Sequence, residues 1–374
     1  MRLWFALALA FVPAALAQGP PATPAAPATA TLSTQSTLVL VPALVRDKSK
    51  GGQLVFTLNV DDFALTDDGI PQKLHLEQDT GGDPLALVVD IEGGGAGASE
   101  LSKYAELAPM LESVVGSVPH RIAVVGYDSS PVLVQDFTPN DDVAAKAISA
   151  LIDDDSGDPG AATLDSLGFA IDLLRKQPLQ YRRAILLVSE SHDRGSKLRL
   201  EEAVRAISDT NTAIYAIGFS SGAADSKGEM ANLGQSQPGP SGGCMSRNPN
   251  DPNVDLNKSR GAQAADCLGI LAPPLILAEA AFLAIRDALE KNIPETVARL
   301  TGGEYFKLTN AKSLGRDLAT ISNHIPNRYV LSFQPQSPHP GFHAISLKVP
   351  GYDHMEVSAR GGYWADIAQS PPVP

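Results

Sequence analysis

The pattern of apolar and polar positions is clearest in residues 84–94. An apolar run ends on the carboxylates Asp90 and Glu92, and a cluster of glycines follows. Such a run is typical of a strand buried on both faces of a parallel sheet. It brings acidic groups to the carboxyl edge of the sheet, where open α/β sheets bind their ligands. The sequence therefore predicts a candidate site directly after this strand.

Strand and helix patterns alternate from residue 84 to about residue 325. Strands are predicted at 85–90, 121–127, 184–189, 213–219 and 302–308, and 132–137 is expected to pair as a hairpin beside the second of them. Helices are predicted at 99–115, 141–151, 164–174, 198–207, 274–289, 294–300 and 313–321. This alternation predicts an α/β fold with a doubly wound, mainly parallel sheet and helices on both faces.

Period-two patterns flank this region on both sides. Residues 35–80 predict a small β module of about four strands, and residues 326–366 predict a terminal antiparallel β segment. Asp67, Asp68 and Gly69 mark a turn in the first of them. We interpret these acids as turn residues and not as calcium ligands, because the ligand spacing of an EF-hand is absent.

The first residues indicate export from the cytoplasm. Residues 1–17 carry one positive charge, a short apolar core and an Ala-x-Ala end, which is the pattern of a secretory signal peptide. Residues 18–34 are rich in Pro and Ala and predict a linker. The apolar stretch at 271–285 is short for a span and is interrupted by Glu279, so we expect no membrane span in the mature chain. The prediction is a secreted protein, periplasmic or extracellular.

Charge and cysteine content narrow the class further. The formal net charge is −13, which argues against nucleic-acid partners and anionic membrane surfaces. Cys244 and Cys267 are the two cysteines, and in an exported chain such a pair predicts a disulfide. The bond would staple an insertion at about 222–272 that is rich in Asn, Asp, Pro, Ser and Gly.

The order of elements in residues 84 to about 325 resembles the von Willebrand factor type A (vWA) domain. The flanking pieces Asp62-Phe63, 68–72 and 360–363 resemble the vWA-related proteins described from acidobacteria. The resemblance implies a Rossmann-like fold and a role in protein binding or adhesion. Little activity is assigned to that family, so the resemblance informs the fold more than the function.

The resemblance also implies a metal site, and this chain departs from it. In vWA domains an Asp-x-Ser-x-Ser motif, a later Thr and an Asp after the fourth strand hold Mg²⁺, with one position open for a partner's carboxylate. Here Asp90 keeps the first position, whereas Glu92 and Gly94 stand at the two serines. Glu190 stands where the later Asp is expected.

The threonine of the motif is also displaced. Thr163 is the candidate, but counting back from Asp165, which fits the family's Thr-x-x-x-Asp run, places the expected threonine at Ala161. Two hypotheses follow for the candidate binding edge formed by Asp90, Glu92, Gly94, Thr163 and Glu190. The carboxylates either still hold Mg²⁺ or Ca²⁺, or the site is vestigial. We favour the second, because two hydroxyl ligands are missing together and Mg²⁺ tolerates such loss poorly; no cofactor is required.

Three functions follow from these observations. The one we favour is a non-catalytic adhesion module that binds another protein or extracellular macromolecule. The alternative is an envelope scaffold or assembly component that contacts partners through its β segments. The most distant is a hydrolase built on Ser189, Ser191, His192 and Asp193. Neighbours in one loop do not converge as a triad must, and no Gly-x-Ser-x-Gly elbow is present. We therefore expect no catalytic residues and no enzyme.

Overall fold

The computed structural model describes residues 38–77, 83–94, 107–109, 115, 118–153, 158–208, 211–219, 274–336 and 339–365. The signal peptide, the linker, most of the helix predicted at 99–115 and the cysteine-containing insertion lie outside the described residues.

The strands and helices alternate through the middle of the chain and give way to strands at both sides. The strands are β1 (Val39–Asp47), β2 (Gln53–Leu54), β3 (Ala64–Asp67), β4 (Ile70–Pro71), β5 (His75–Glu77), β6 (Leu85–Glu92), β7 (His120–Tyr127), β8 (Pro131–Thr138), β9 (Arg182–Glu190), β10 (Thr212–Phe219), β11 (Tyr305–Lys307), β12 (Tyr329–Phe333), β13 (Gly341–Lys348), β14 (Met355–Ala359) and β15 (Gly362–Ala365). The described helices are α1 (Asp141–Asp153), α2 (Thr163–Arg175), α3 (Leu200–Ser208), α4 (Pro274–Lys291), α5 (Ile293–Thr301) and α6 (Ala311–His324).

The central sheet has six strands in the order β11-β10-β9-β6-β7-β8. Neighbouring strands from β11 to β7 run parallel, and β8 returns antiparallel to β7 as the predicted hairpin. Every residue of β6 is buried, because the strand lies inside the sheet and is covered on both faces. The mixed α/β class predicted from the sequence is confirmed, whereas the two other sheets are antiparallel.

Helices cover both faces of the central sheet. Alternate β6 side chains such as Leu87 and Val89 share one apolar core with α1 and α6. The intervening side chains such as Val88 share the other with α2, α3 and α5. Because successive side chains of a strand point to opposite faces of the sheet, β6 contributes to both cores.

The two predicted β segments form one structure. β1 pairs antiparallel with β12 and with β14, and β3 pairs antiparallel with β13. The resulting sheets, β14-β1-β12-β5 with β2 beside β1 and β15-β13-β3-β4, share a core that includes Val41, Leu65 and Phe333. We call this unit the β sandwich. Its apolar faces are buried against each other within the protein.

Buried polar contacts join the β sandwich to the central sheet. The Glu304 carboxylate accepts hydrogen bonds from Arg46 of β1 at 3.2 Å and from His324 of α6 at 2.5 Å. Arg360, after β14, donates to the carbonyl oxygen of Ser208 at the end of α3 at 2.6 Å. These bonds fix the two sheet systems against each other.

Candidate functional site

The order of strands reverses between β6 and β9. From β6 the chain moves outward through β7 to β8, and it then returns to β9 and moves outward through β10 to β11. Asp90 lies opposite Leu187 in the β6–β9 register, so Asp90, Glu92 and Glu190 end neighbouring strands at this reversal. Open α/β sheets bind ligands at such a switch point, outside the carboxyl ends of the strands. Three of the predicted site residues therefore meet where a ligand crevice is expected.

Asp90 is fully buried at this edge. Ser166 Oγ donates a 2.6 Å hydrogen bond to Asp90 Oδ1, whereas Oδ2 has no hydrogen-bond partner in the described residues. Burial raises the pKa of Asp90 to about 7, against the opposing effect of the Ser166 bond. An uncompensated buried carboxylate holds its proton in this way because the charged form is poorly solvated.

Glu92 and Glu190 are also almost completely buried. The backbone N–H of Glu190 donates to Glu92 Oε2 at 2.8 Å, which ties the ends of β6 and β9 together. Burial raises the pKa of the Tyr127 hydroxyl well above its ordinary value, and the charges of Glu92 and Asp90 raise it further. The interior of the edge is thus strongly acidic.

Arg194 supplies a cation to this acidic edge. Its guanidinium donates to the Glu190 carboxylate, and this bond raises the pKa of Arg194. The backbones of Arg194 and Ala161 exchange two hydrogen bonds of 2.7 and 2.9 Å. The Glu190 side chain is 2 % exposed and that of Arg194 is 49 % exposed. The pair therefore joins a buried carboxylate to a cation at the surface.

Thr163 begins α2 and is buried. Its Oγ1 accepts from the Tyr127 hydroxyl at 3.4 Å and donates to the Ala161 carbonyl at 3.4 Å. The hydroxyl that reaches Asp90 belongs instead to Ser166, which follows Thr163 by three residues and so lies on the same helix face. Sequence reasoning missed Ser166, although this spacing was the available signal.

Gly94 is held by close packing. A Cβ at this position would lie 2.2 Å from the Gly160 carbonyl oxygen and 2.7 Å from Asp128 Cβ. No side chain fits there without moving the backbone. The second serine of the vWA motif is therefore sterically excluded from this chain.

The carboxylates at the edge do not by themselves form a compact set of ligands for Mg²⁺ or Ca²⁺. Either ion needs about six or more oxygen ligands at about 2.0–2.6 Å. Asp90, Glu92 and Glu190 do not form a group whose carboxylate oxygens all lie within 4.8 Å of one another. Glu190 already has a cationic partner in Arg194. The choice between the metal-binding and the vestigial hypothesis for this edge stays a prediction.

Three exposed cations follow one another after β9. Arg194, Lys197 and Arg199 are all exposed, and we call residues 194–199 the basic loop. Arg199 pairs with Glu202 at 2.9 Å. The loop is a local concentration of positive charge on a chain of net charge −13.

Two carboxylates hold the basic loop in place, Asp165 at the start of α2 and Asp193 directly before the loop. Asp165 accepts from the backbone N–H groups of Lys197 at 3.0 Å and Leu198 at 2.7 Å. Asp193 accepts from the backbone N–H of Leu164 at 3.1 Å and from Ser196 Oγ at 2.5 Å. The loop therefore presents its cations from a fixed backbone.

The residues of the hydrolase hypothesis are used in other contacts. Ser189 Oγ donates to the Glu190 carbonyl at 2.7 Å. Asp193 holds the basic loop, as described above, and the Ser191 carbonyl accepts from the backbone N–H of Ile293 at 3.0 Å. These contacts stabilise the loop, and none of them joins a serine hydroxyl to His192.

No family model and no curated protein matches the sequence. Among solved structures, the chain is similar to an aerotolerance-related membrane protein from Bacteroides fragilis (14% identity, 64% of this chain and 98% of that chain, TM-score 0.36). It is also similar to the conserved hypothetical protein BatB from Bacteroides thetaiotaomicron (12%, 65% and 100%, TM-score 0.34) and to the SpRpn10 VWA domain (14%, 37% and 76%, TM-score 0.29). These likenesses concern the fold and carry no argument about function. No helix in the described ranges is long and apolar enough to cross a membrane.

Proposed function

We propose that the chain is an exported vWA-type module, related to the acidobacterial vWA proteins, that binds an acidic protein partner through the basic loop and catalyses no reaction. The observation that carries this proposal is the Arg194–Glu190 pair. At the switch point where a vWA metal would meet a partner's carboxylate, Arg194 offers a half-exposed guanidinium. Guanidinium groups bind carboxylates by charge-assisted, frequently bidentate hydrogen bonds.

The charge distribution supports this proposal. The net charge of −13 opposes the approach of an acidic partner at long range. At physiological ionic strength, however, exposed charges act over only about 8 Å. Arg194, Lys197 and Arg199 are the exposed cations that a docked partner would meet at this edge, next to Glu201 and Glu202 at the start of α3.

Preorganisation supports it as well. The backbone of the basic loop is fixed by Asp165 and Asp193. Binding of a partner therefore costs little conformational entropy for ordering the loop. The β sandwich offers less to the scaffold alternative, because apolar side chains of both β segments, such as Val41, Leu65 and Phe333, are buried in its own core.

The test is binding of a glutamate-rich peptide to the immobilised mature protein at low and high salt. We expect saturable binding that weakens with salt and falls at least tenfold in Lys197→Ala/Arg199→Ala, a variant that leaves Arg194 paired with Glu190. The control is Lys312→Ala/Arg316→Ala, which removes the same charge from exposed positions on α6. An equal loss of binding in both variants would mean that binding depends on net charge and not on the basic loop, which would contradict the proposal. No binding by the wild type would contradict it as well.

A further inference from the structure

The β3–β4 turn and the start of β13 bring a second cluster of ionisable side chains together in the β sandwich. Asp68 Oδ2 lies 3.0 Å from His339 Nε2 and 2.9 Å from His343 Nδ1. These three ligand atoms all lie within 4.8 Å of one another, the one such His/Cys/Asp/Glu group found in the described part of the chain. Asp68 and His343 are buried and the His339 side chain is 17 % exposed.

The backbone fixes Asp68 in this position. Asp68 and Gly69 form the two-residue turn between β3 and β4 with φ values of 49° and 81°, the left-handed pair that a type I′ hairpin requires. Asp68 exchanges hydrogen bonds with Ala344 on β13, through its backbone N–H at 2.9 Å and through Oδ1 at 2.8 Å. Oδ2 is therefore directed at the two histidines.

Every ring nitrogen of the two histidines faces an acceptor. His339 Nδ1 lies 3.1 Å from the Pro340 carbonyl, and His343 Nε2 lies 2.9 Å from the His339 carbonyl. The other nitrogen of each ring faces Asp68, and His343 Nδ1 also faces Asp67 Oδ1 at 3.2 Å. Each ring therefore turns one nitrogen toward the Asp68 carboxylate and the other toward a backbone carbonyl.

The two histidine rings lie against each other. The rings of His339 and His343 stack with centroids 3.8 Å apart and planes 18° apart. One metal ion can be reached from both rings. Each neutral ring then gives one nitrogen to the ion and donates its remaining N–H to a backbone carbonyl, which is the usual outer contact of a metal-bound histidine.

We propose that Asp68, His339 and His343 bind a divalent first-row transition-metal ion such as Zn²⁺. Two ligands bound at about 2.0–2.1 Å in tetrahedral or octahedral geometry lie about 3 Å apart, close to the 3.0 and 2.9 Å between Asp68 Oδ2 and the two ring nitrogens. Imidazole ligands select zinc, nickel, copper or iron over Mg²⁺ and Ca²⁺.

Asp67 completes the arrangement. Its Oδ1 is near His343 Nδ1, and its Oδ2 accepts a 2.9 Å hydrogen bond from the Tyr363 hydroxyl. It provides either a fourth ligand or an oriented carboxylate beside the ion. Since Asp67 and Asp68 come from the N-terminal side of the β sandwich and the histidines from the C-terminal side, the ion would clamp the two together and stabilise the folded state.

The test is calorimetric titration of the chelator-treated full-length mature protein with Zn²⁺ and, as comparators, Mg²⁺ and Ca²⁺. We expect one Zn²⁺ per chain and a rise in melting temperature, with no binding of Mg²⁺ or Ca²⁺. His339→Ala removes the most exposed ligand, and Asp68→Asn keeps a residue that accepts the left-handed turn. Both variants should bind Zn²⁺ at least tenfold more weakly, whereas His75→Ala, which removes an exposed histidine of β5, should bind normally.

X-ray absorption at the zinc edge identifies the type of atom that binds the ion and so distinguishes the proposed site from the cysteines. Nitrogen and oxygen ligands without sulfur support the proposed site, and sulfur ligands would assign the ion to Cys244 and Cys267 and overturn it. Unaltered affinity in folded Asp68→Asn, or no saturable Zn²⁺ binding by the wild type, would also overturn it.

Discussion

Arg194 pairs with Glu190 across the surface of the central sheet, with the carboxylate buried at the end of β9 and the guanidinium half in solvent. The pair brings one positive charge to an edge that also holds Asp90 and Glu92. In the vWA resemblance a divalent ion occupies this edge. In this protein the cation beside Glu190 is a side chain of the chain itself.

This pair makes Arg194 a stability determinant. We expect Arg194→Ala to lower the free energy of unfolding by about 1–3 kcal/mol, because a buried carboxylate loses its charged partner. Urea denaturation measures the change. Arg299→Ala is the matched control, since Arg299 also pairs with a glutamate four residues away, Glu295, but in an exposed position. Its cost should stay within about 0.5 kcal/mol.

A double variant tests whether the lost stability comes from the unpaired charge of Glu190. Adding Glu190→Gln to Arg194→Ala removes the unpaired charge, so the double variant should recover part of the lost stability. If the single variant Arg194→Ala is as stable as the wild type, Glu190 does not depend on the guanidinium.

Gly94 gives a test of why the vWA motif is altered. Gly94→Ser restores the serine of the motif, but we expect it to cost about 2 kcal/mol or more, since its Cβ would lie 2.2 Å from the Gly160 carbonyl oxygen. Gly93→Ser is the control, because its Cβ would meet nothing closer than 3.8 Å. Thermal unfolding of both variants compares them. Equal melting temperatures would show that the backbone around Gly94 can move to accept a side chain, which would contradict the steric explanation.

The elements were predictable where apolar periodicity was strong and contacts were local. The helix predicted at 141–151 is observed at Asp141–Asp153, and the strand predicted at 184–189 at Arg182–Glu190. The pairing of β1 with β12 was not predictable in this way, because a period-two pattern records which face is buried and not which strand lies alongside.

Site residues were likewise predictable where a local pattern marks them and not where a contact joins distant segments. Asp90, Glu92 and Glu190 were identifiable because each ends a buried strand of a parallel sheet. Arg194 was overlooked, since its contact with Glu190 depends on the path of a loop. Asp68 and His339 are separated by 271 positions, and Asp68 alone has the sequence signature of a turn.

Asp90 makes the stability of the protein depend on pH. In the folded state burial raises its pKa to about 7 from an ordinary value of 3.8. Between these values the folded state retains a proton that the unfolded state has released. Because the unfolded state then binds fewer protons, the Asp90 contribution to stability falls as pH rises from about 4 to about 7, and the loss persists above it.

Asp90→Asn removes this titration and keeps an oxygen that can accept from Ser166. The free energy of unfolding of the variant relative to the wild type should therefore increase by on the order of 2–4 kcal/mol between pH 4 and pH 8. Urea denaturation at both pH values measures the difference, and any fixed cost of the new amide cancels in the comparison. Asp136→Asn, at an exposed position of β8, is the matched control for the loss of one carboxylate. A difference for Asp90→Asn that does not change with pH would mean that its charge is compensated in the folded protein, which a bound cation at the carboxyl edge would explain.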